Sequence, residues 1–249
     1  MPSKKQSIFI LLILLVVALT SFTWGVMTMY RKIFPYELVH YAAFAVLGSR
    51  ASAPKPRISF FEEFDVKADV VMIGDSNTEG ALWNEIFSEF RIANRGVGRD
   101  KTDDILKRLD SIFAVEPKKA FLMVGINDIY SGYDVGEIVE NYINVIMRLQ
   151  NRGIVVYIQS TLECSKSNCG KRLSKVRELN EELRKYASTN NVEYIDINNG
   201  LSSETDGLLP EYTYDGIHLN GKGYLVWSRA IRPYIEVNQS DKRSSSYIE

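Results

Sequence analysis

Three unbroken apolar runs constrain this chain more than any other feature: Ala68-Asp-Val-Val-Met-Ile73, Lys119-Ala-Phe-Leu-Met-Val124 and Ile154-Val-Val-Tyr-Ile158. A half-exposed strand alternates apolar and polar residues, whereas a strand that is apolar throughout must be covered on both faces. Shorter strands are expected at Arg91 to Val97 and at Val192 to Ile197. Between the strands the spacing becomes helical. Ile105, Leu106, Leu109 and Ile112 form one stripe, and Val135, Ile138, Val139, Tyr142, Ile146 and Leu149 a second. Leu173, Val176, Leu179, Leu183 and Tyr186 form a third. Strands and helices in this order predict a parallel five-stranded sheet with right-handed crossovers and helices on both sides. Residues 58–237 suffice for one such α/β domain, and its chemistry belongs beyond the carboxyl ends of the strands.

Composition removes several functions. With 45% hydrophobic and 24% charged residues the chain is of globular type. The balance of 30 Lys+Arg against 31 Asp+Glu leaves a net charge of −1. That lacks the basic footprint of a nucleic-acid binder, so no nucleic-acid partner is expected. Only His40 and His218 are histidines. A zinc hydrolase draws on two or three His ligands, and two cysteines cannot make a four-thiolate site, so no metal is expected.

The flanks read differently from the domain. After a short basic start, residues 1–6, no charge occurs from Ser7 to Tyr30, and Lys4, Lys5, Arg31 and Lys32 bracket that run. At about 1.5 Å per residue a helix of this length reaches roughly 36 Å, enough for a hydrocarbon core of about 30 Å. Residues 7–30 therefore read as a single transmembrane signal anchor. The alternative, a cleaved signal peptide, lacks a small-x-small site after Leu19. Two cations on each side leave the direction nearly balanced. Residues 31–57 read as a juxtamembrane connector in which His40 is a surface or interface residue, and 238–249 as a polar tail. Cys164 and Cys169 could close a small ring, which would persist only in an oxidising compartment, or could remain two thiols. Together these features point to a domain outside the cytoplasm, with oligomeric state left open.

Four short blocks fall at the strand ends: Gly74-Asp-Ser-Asn-Thr-Glu-Gly80, Asn94-Arg-Gly-Val-Gly98, Gly125-Ile-Asn-Asp128 and Asp215-Gly-Ile-His218. Each alone has a plain structural explanation. Ser76 with Glu79 fits a capping box; Gly96 and Gly98 permit a turn; Asn127-Asp128 suits a helix start and Asp215-Gly216 a turn. Acyl transfer, however, needs a hydroxyl nucleophile, a base, a group that orients the base, and donors for the oxyanion. Ser76 supplies the hydroxyl, His218 the only imidazole of the domain, and Asp215 a carboxylate in the same loop. The amides of Ser76 and Gly96 and the side chain of Asn127 are the candidate oxyanion donors. A G-x-S-x-G elbow fails at Thr78. A phosphate loop fails at Asp100, and a dinucleotide fingerprint at Lys101.

In this order the four blocks resemble the SGNH, or GDSL, hydrolases over about residues 66–235. The resemblance implies a flavodoxin-like three-layer α/β/α sandwich. It also implies serine esterase chemistry with Ser76 as nucleophile, Asp215 and His218 completing the triad, and an oxyanion hole of Ser76, Gly96 and Asn127. No cofactor is implied. Asn77 stands where leucine is frequent in that family, and Leu219 where proline often follows the histidine. The expected activity is hydrolysis of an acyl or O-acetyl ester at the cell envelope. An envelope glycan O-acyltransferase and an inactive tethered binding module are the alternatives.

Overall fold

The computed structural model describes residues 4–31 and 55–236. The chain divides into two compact units, residues 1–54 and 55–249. In the first, helix α1 spans Lys4–Arg31. Its described side chains, 11–27, include Leu11, Leu14, Phe22 and Trp24, all exposed. Among the described residues no helix is long and apolar enough to cross a membrane. Nearly all of the expected connector, His40 included, and the tail 238–249 lie outside the described residues.

In the second unit helix α2 (Pro56–Glu63) crosses the boundary drawn between connector and domain. Proline at the first helical position fits there because the missing N–H has no intrahelical partner. Five strands follow in the places the apolar runs foretell: β1 (Val70–Gly74), β2 (Ile92–Gly96), β3 (Lys119–Met123), β4 (Val155–Gln159) and β5 (Glu193–Ile195). They pair in parallel in the order β2-β1-β3-β4-β5, the flavodoxin-like winding. A small antiparallel pair, Ser202–Ser203 with Gly207–Leu208, was not foreseen.

Alternate strand residues feed two separate cores. Val71, Ile73, Ala120, Leu122, Val156 and Ile158 join one cluster with Ile138, Tyr142, Val176 and Leu183. Val70, Met72, Phe121, Met123 and Tyr157 join the other with Trp83, Trp227 and Ile231. Both faces are sealed, which is why those strands carry no polar alternation. The three helical stripes become α4 (Thr102–Lys107) with α5 (Leu109–Phe113), α7 (Val135–Gln150) and α8 (Arg172–Thr189), while α3 (Ser76–Gly80), α6 (Ile126–Ser131) and α9 (Gly221–Glu236), which no stripe marked, complete the layers. The first stripe is broken between α4 and α5. Arg108 at the break has φ −117° and ψ 20°. Its buried guanidinium donates from Nε to Asp100 Oδ2 at 2.6 Å and from Nη2 to Arg95 O at 2.9 Å. A buried cation has to be paired and hydrogen-bonded, and meeting these partners coincides with the interruption of the helix at this one residue.

Candidate active site

Strand β1 ends at Gly74, and Asp75 is the N-cap of α3, accepting from Asn77 N at 3.0 Å through Oδ1. The capping box expected of Ser76 and Glu79 is therefore replaced. Asp75 caps the helix, Ser76 occupies the first helical position, and the Glu79 carboxylate accepts the Gly98 amide instead. Freed from capping, the Ser76 hydroxyl lies 3.0 Å from His218 Nε2. His218 Nδ1 lies 2.7 Å from Asp215 Oδ2. Asp215 Oδ1 accepts the amides of His218 at 2.7 Å and Ile217 at 2.9 Å. Hydroxyl, imidazole and carboxylate thus form one chain of bonds, half-buried at Ser76 and His218.

The electrostatics fit that arrangement. Burial pushes the Asp215 carboxyl up, but the His218 and Ile217 amides and the His218 ring outweigh it and hold the group below the usual carboxylate range. An ionised Asp215 fixes the tautomer with the proton on Nδ1, which leaves the Nε2 lone pair toward Ser76. Asp75 is the opposite case. It is fully buried, Oδ2 has no partner, and burial raises it from 3.8 to about 7, partly opposed by the Asn77 amide. Two carboxyls close to the nucleophile are thus set apart by environment, one charged and one largely neutral below pH 7.

The second block needs a correction. The Gly96 amide is not open to an oxyanion, because it donates to Asn94 Oδ1 at 2.9 Å. What position 96 requires is the absence of a side chain: a Cβ there would sit 2.2 Å from Glu79 N. Glycine lets α3 lie directly on β2. The loop beyond it does pass the nucleophile, since a Cβ on Gly98 would lie 3.9 Å from Ser76 Cβ. Along that loop Val97 N–H goes to Gly74 O, Asp100 N–H to Val97 O, and the Gly98 amide to Glu79. Among the described residues Arg99 N–H meets no acceptor, and Arg99 takes the left-handed φ of 64°. Nothing in the sequence marks Arg99, because a non-glycine residue gives no signal for that conformation.

Asn127, in the first turn of α6, donates from Nδ2 to Asp100 O at 3.0 Å. An amide carries two N–H bonds, so a second remains. Asp128 turns inward and accepts from Thr102 N at 3.0 Å and Thr102 Oγ1 at 2.6 Å. Burial raises its carboxyl to about 6, opposed by those Thr102 bonds. Asp100 itself is held by Arg108 and by Lys55 Nζ at 2.7 Å. Thr102, Arg108 and Lys55, which hold Asp128 and Asp100, lie outside every short motif and were not foreseen. The Cys164–Cys169 pair is a disulfide with both residues buried. Among the described residues no cluster of His, Cys, Asp or Glu could hold a metal ion.

A relay of hydroxyl, imidazole and carboxylate beyond the carboxyl ends of a flavodoxin-like sheet defines the class, an ester hydrolase. Residues 72–226 match the GDSL-like lipase/acylhydrolase family, and the chain belongs to it. It is 27% identical over 169 residues to platelet-activating factor acetylhydrolase IB subunit alpha2 of Rattus norvegicus, covering 64% of this chain and 72% of that protein. A Streptococcus pneumonia structure provisionally assigned as a platelet activating factor superposes with a TM-score of 0.68 at 25% identity. The match covers 78% of this chain and 99% of that one. The lipase/acylhydrolase of Enterococcus faecalis shares the fold with a TM-score of 0.59 at 21% identity, over 67% and 94% of the two chains.

Proposed function

We propose that the protein hydrolyses a short-chain carboxylic ester, an acetyl ester first of all, through an acyl-serine at Ser76. The observation that carries this reading is the unbroken relay of 3.0 Å and 2.7 Å from Ser76 through His218 to Asp215. The acetylhydrolase relatives support the acetyl choice. His218 takes the Ser76 proton as Oγ attacks the acyl carbonyl, and the carbonyl π-electrons move onto oxygen. The oxyanion is received by the Ser76 amide at the start of α3, the remaining Asn127 N–H, and the Arg99 N–H in place of Gly96. Protonated His218 then gives its proton to the departing alcohol. A water deprotonated by the same ring attacks the acyl-serine, releases the acid, and returns the proton to Ser76. The His218 side chain is 33% exposed, so water has access.

The test is labelling with a fluorophosphonate, followed by a panel of acetyl to long-acyl esters. Ser76→Ala should label no longer and should lose on the order of 10⁴–10⁶ in kcat. Its folding should be nearly unchanged, since Ser76 is not the cap. Comparable turnover in the folded variant refutes the reading.

The placement belongs to the same proposal. We infer that residues 7–30 anchor the enzyme in a membrane and that the domain works outside the cytoplasm, at the cell envelope. The uncharged run and the Cys164–Cys169 disulfide support this. Protease treatment of intact cells, with thiol alkylation before and after reduction, tests it. A protected domain with freely alkylated cysteines would refute it.

A further inference from the structure

The geometry points to Asn77 as the residue that sets the distance between nucleophile and base. The inference rests on the reading of Ser76 and His218 above. Asn77 follows the nucleophile directly, is 2% exposed, and engages its amide, its carbonyl and both ends of its carboxamide. Its N–H donates to Asp75 Oδ1 at 3.0 Å, and its carbonyl accepts Tyr224 Oη at 2.8 Å. The side chain reaches across to the histidine loop. Oδ1 accepts Leu219 N–H at 3.1 Å, and Nδ2 donates to Ile217 O at 3.2 Å.

Those two partners are the residues on either side of His218. One carboxamide therefore grips the chain before and after the base, much as a neighbouring strand would. With both flanking peptides held, His218 keeps only its two side-chain torsions. The second is constrained by the Nδ1 bond to Asp215. The link spans 142 residues in sequence, yet in space it joins the neighbour of Ser76 to the neighbours of His218. The 3.0 Å contact of Ser76 with His218 is thus fixed across a single residue step rather than through the body of the domain.

Leucine, frequent at this position in the family, can make neither bond. It would leave a buried N–H at Leu219 and a carbonyl at Ile217 without this partner. The side chain is buried and acts through the residues on either side of His218, so Asn77 is a positioning residue. Its loss should appear in the chemical step, because misplacing a base by about 1 Å can cost on the order of 10²-fold.

The experiment compares Asn77→Leu and Asn77→Asp with the full-length wild type. The readouts are kcat and KM on p-nitrophenyl acetate, the rate of fluorophosphonate labelling, and thermal unfolding. Asn77→Leu should lower kcat and labelling by about 10²-fold with KM little changed. Asn77→Asp keeps an acceptor for Leu219 N–H but loses the donor to Ile217 O, so it should fall between. A folded Asn77→Leu enzyme with wild-type kcat overturns the assignment, and so does a loss confined to KM. If Asn77→Leu does not fold, the folded Asn77→Asp enzyme carries the same comparison. Failure of both to fold makes Asn77 a folding residue and also overturns it. Ser76→Ala is the control: if that variant stays active, the serine reading has failed, not this one.

Discussion

The two halves of the relay are built in different ways. Ser76 tops β1, whose five residues are all buried, and Asp75 beneath it is fully buried. The nucleophile is placed by the sheet itself. His218 rides on residues 213–219, a loop with one isolated bridge, Thr213 to Leu219, and with Tyr214 72% exposed. Nothing regular holds this loop in place; discrete bonds do. Asn77 grips one edge. At the other edge Ser165 N–H donates to Gly216 O at 2.7 Å and Asn168 Nδ2 donates to Asp215 O, both from the segment closed by Cys164–Cys169. Gly216 has φ 82°, and a Cβ there would press on Ser165 Oγ and Asn168 Nδ2. A strapped base can be loosened by degrees. A nucleophile seated on a sheet cannot.

The largest way to break this comparison is Asp215→Asn. The amide retains an oxygen for the two loop amides but offers the imidazole no anion, and the tautomer needed at Nε2 is no longer favoured. Activity should fall by about 10³–10⁴-fold while the fold persists. Steady-state kinetics beside circular dichroism checks it; a loss of less than tenfold would show that the carboxylate does not orient His218.

Asp75→Asn probes the buried end. A carboxyl raised in the folded state binds more protons there than in the unfolded chain. Its contribution is therefore lost as pH rises from about 4 to about 7 and is constant above that. The wild type should lose stability over this window relative to Asp75→Asn, which keeps the oxygen that accepts Asn77 N–H. Parallel Tm curves for the two proteins would show that Asp75 is ionised throughout.

The smallest effect sharpens the strapped end. Asn168→Ala, or the double change Cys164→Ala with Cys169→Ala, should lower kcat by no more than about tenfold, the scale of one net hydrogen bond. A short closed loop removes little chain entropy, so stability should change modestly. A collapse of activity comparable with Asp215→Asn would mean that the disulfide segment does more than strap the loop.

Much of this architecture is legible in local pattern. The apolar runs at 68–73, 119–124 and 154–158 mark strands to within two residues, because burial on both faces leaves no polar position to mask them. The spacing of Val135 to Leu149 yields α7, since one apolar stripe suffices to seat a helix on a sheet. The chemistry is legible by scarcity: one histidine lies in the domain, and Ser76, Asp215 and Asn127 stand in short blocks around it.

What the chain alone determined, then, is which residues can react and which segments form the layers, because periodicity and residue type are properties of neighbours in sequence. Tertiary structure decided how those residues are used. Gly96 reads as an oxyanion donor until Asn94 Oδ1 is seen to take its amide, and Glu79 reads as a cap until it is found on Gly98. Asn77 reads as a departure from a motif until its carboxamide is seen on either side of His218. Arg108 interrupts a regular stripe because Asp100 and the Arg95 carbonyl claim its guanidinium. Each outcome turns on which acceptor lies within about 3 Å of a given donor. For partners up to 142 residues apart in the chain, only the folded packing sets that distance.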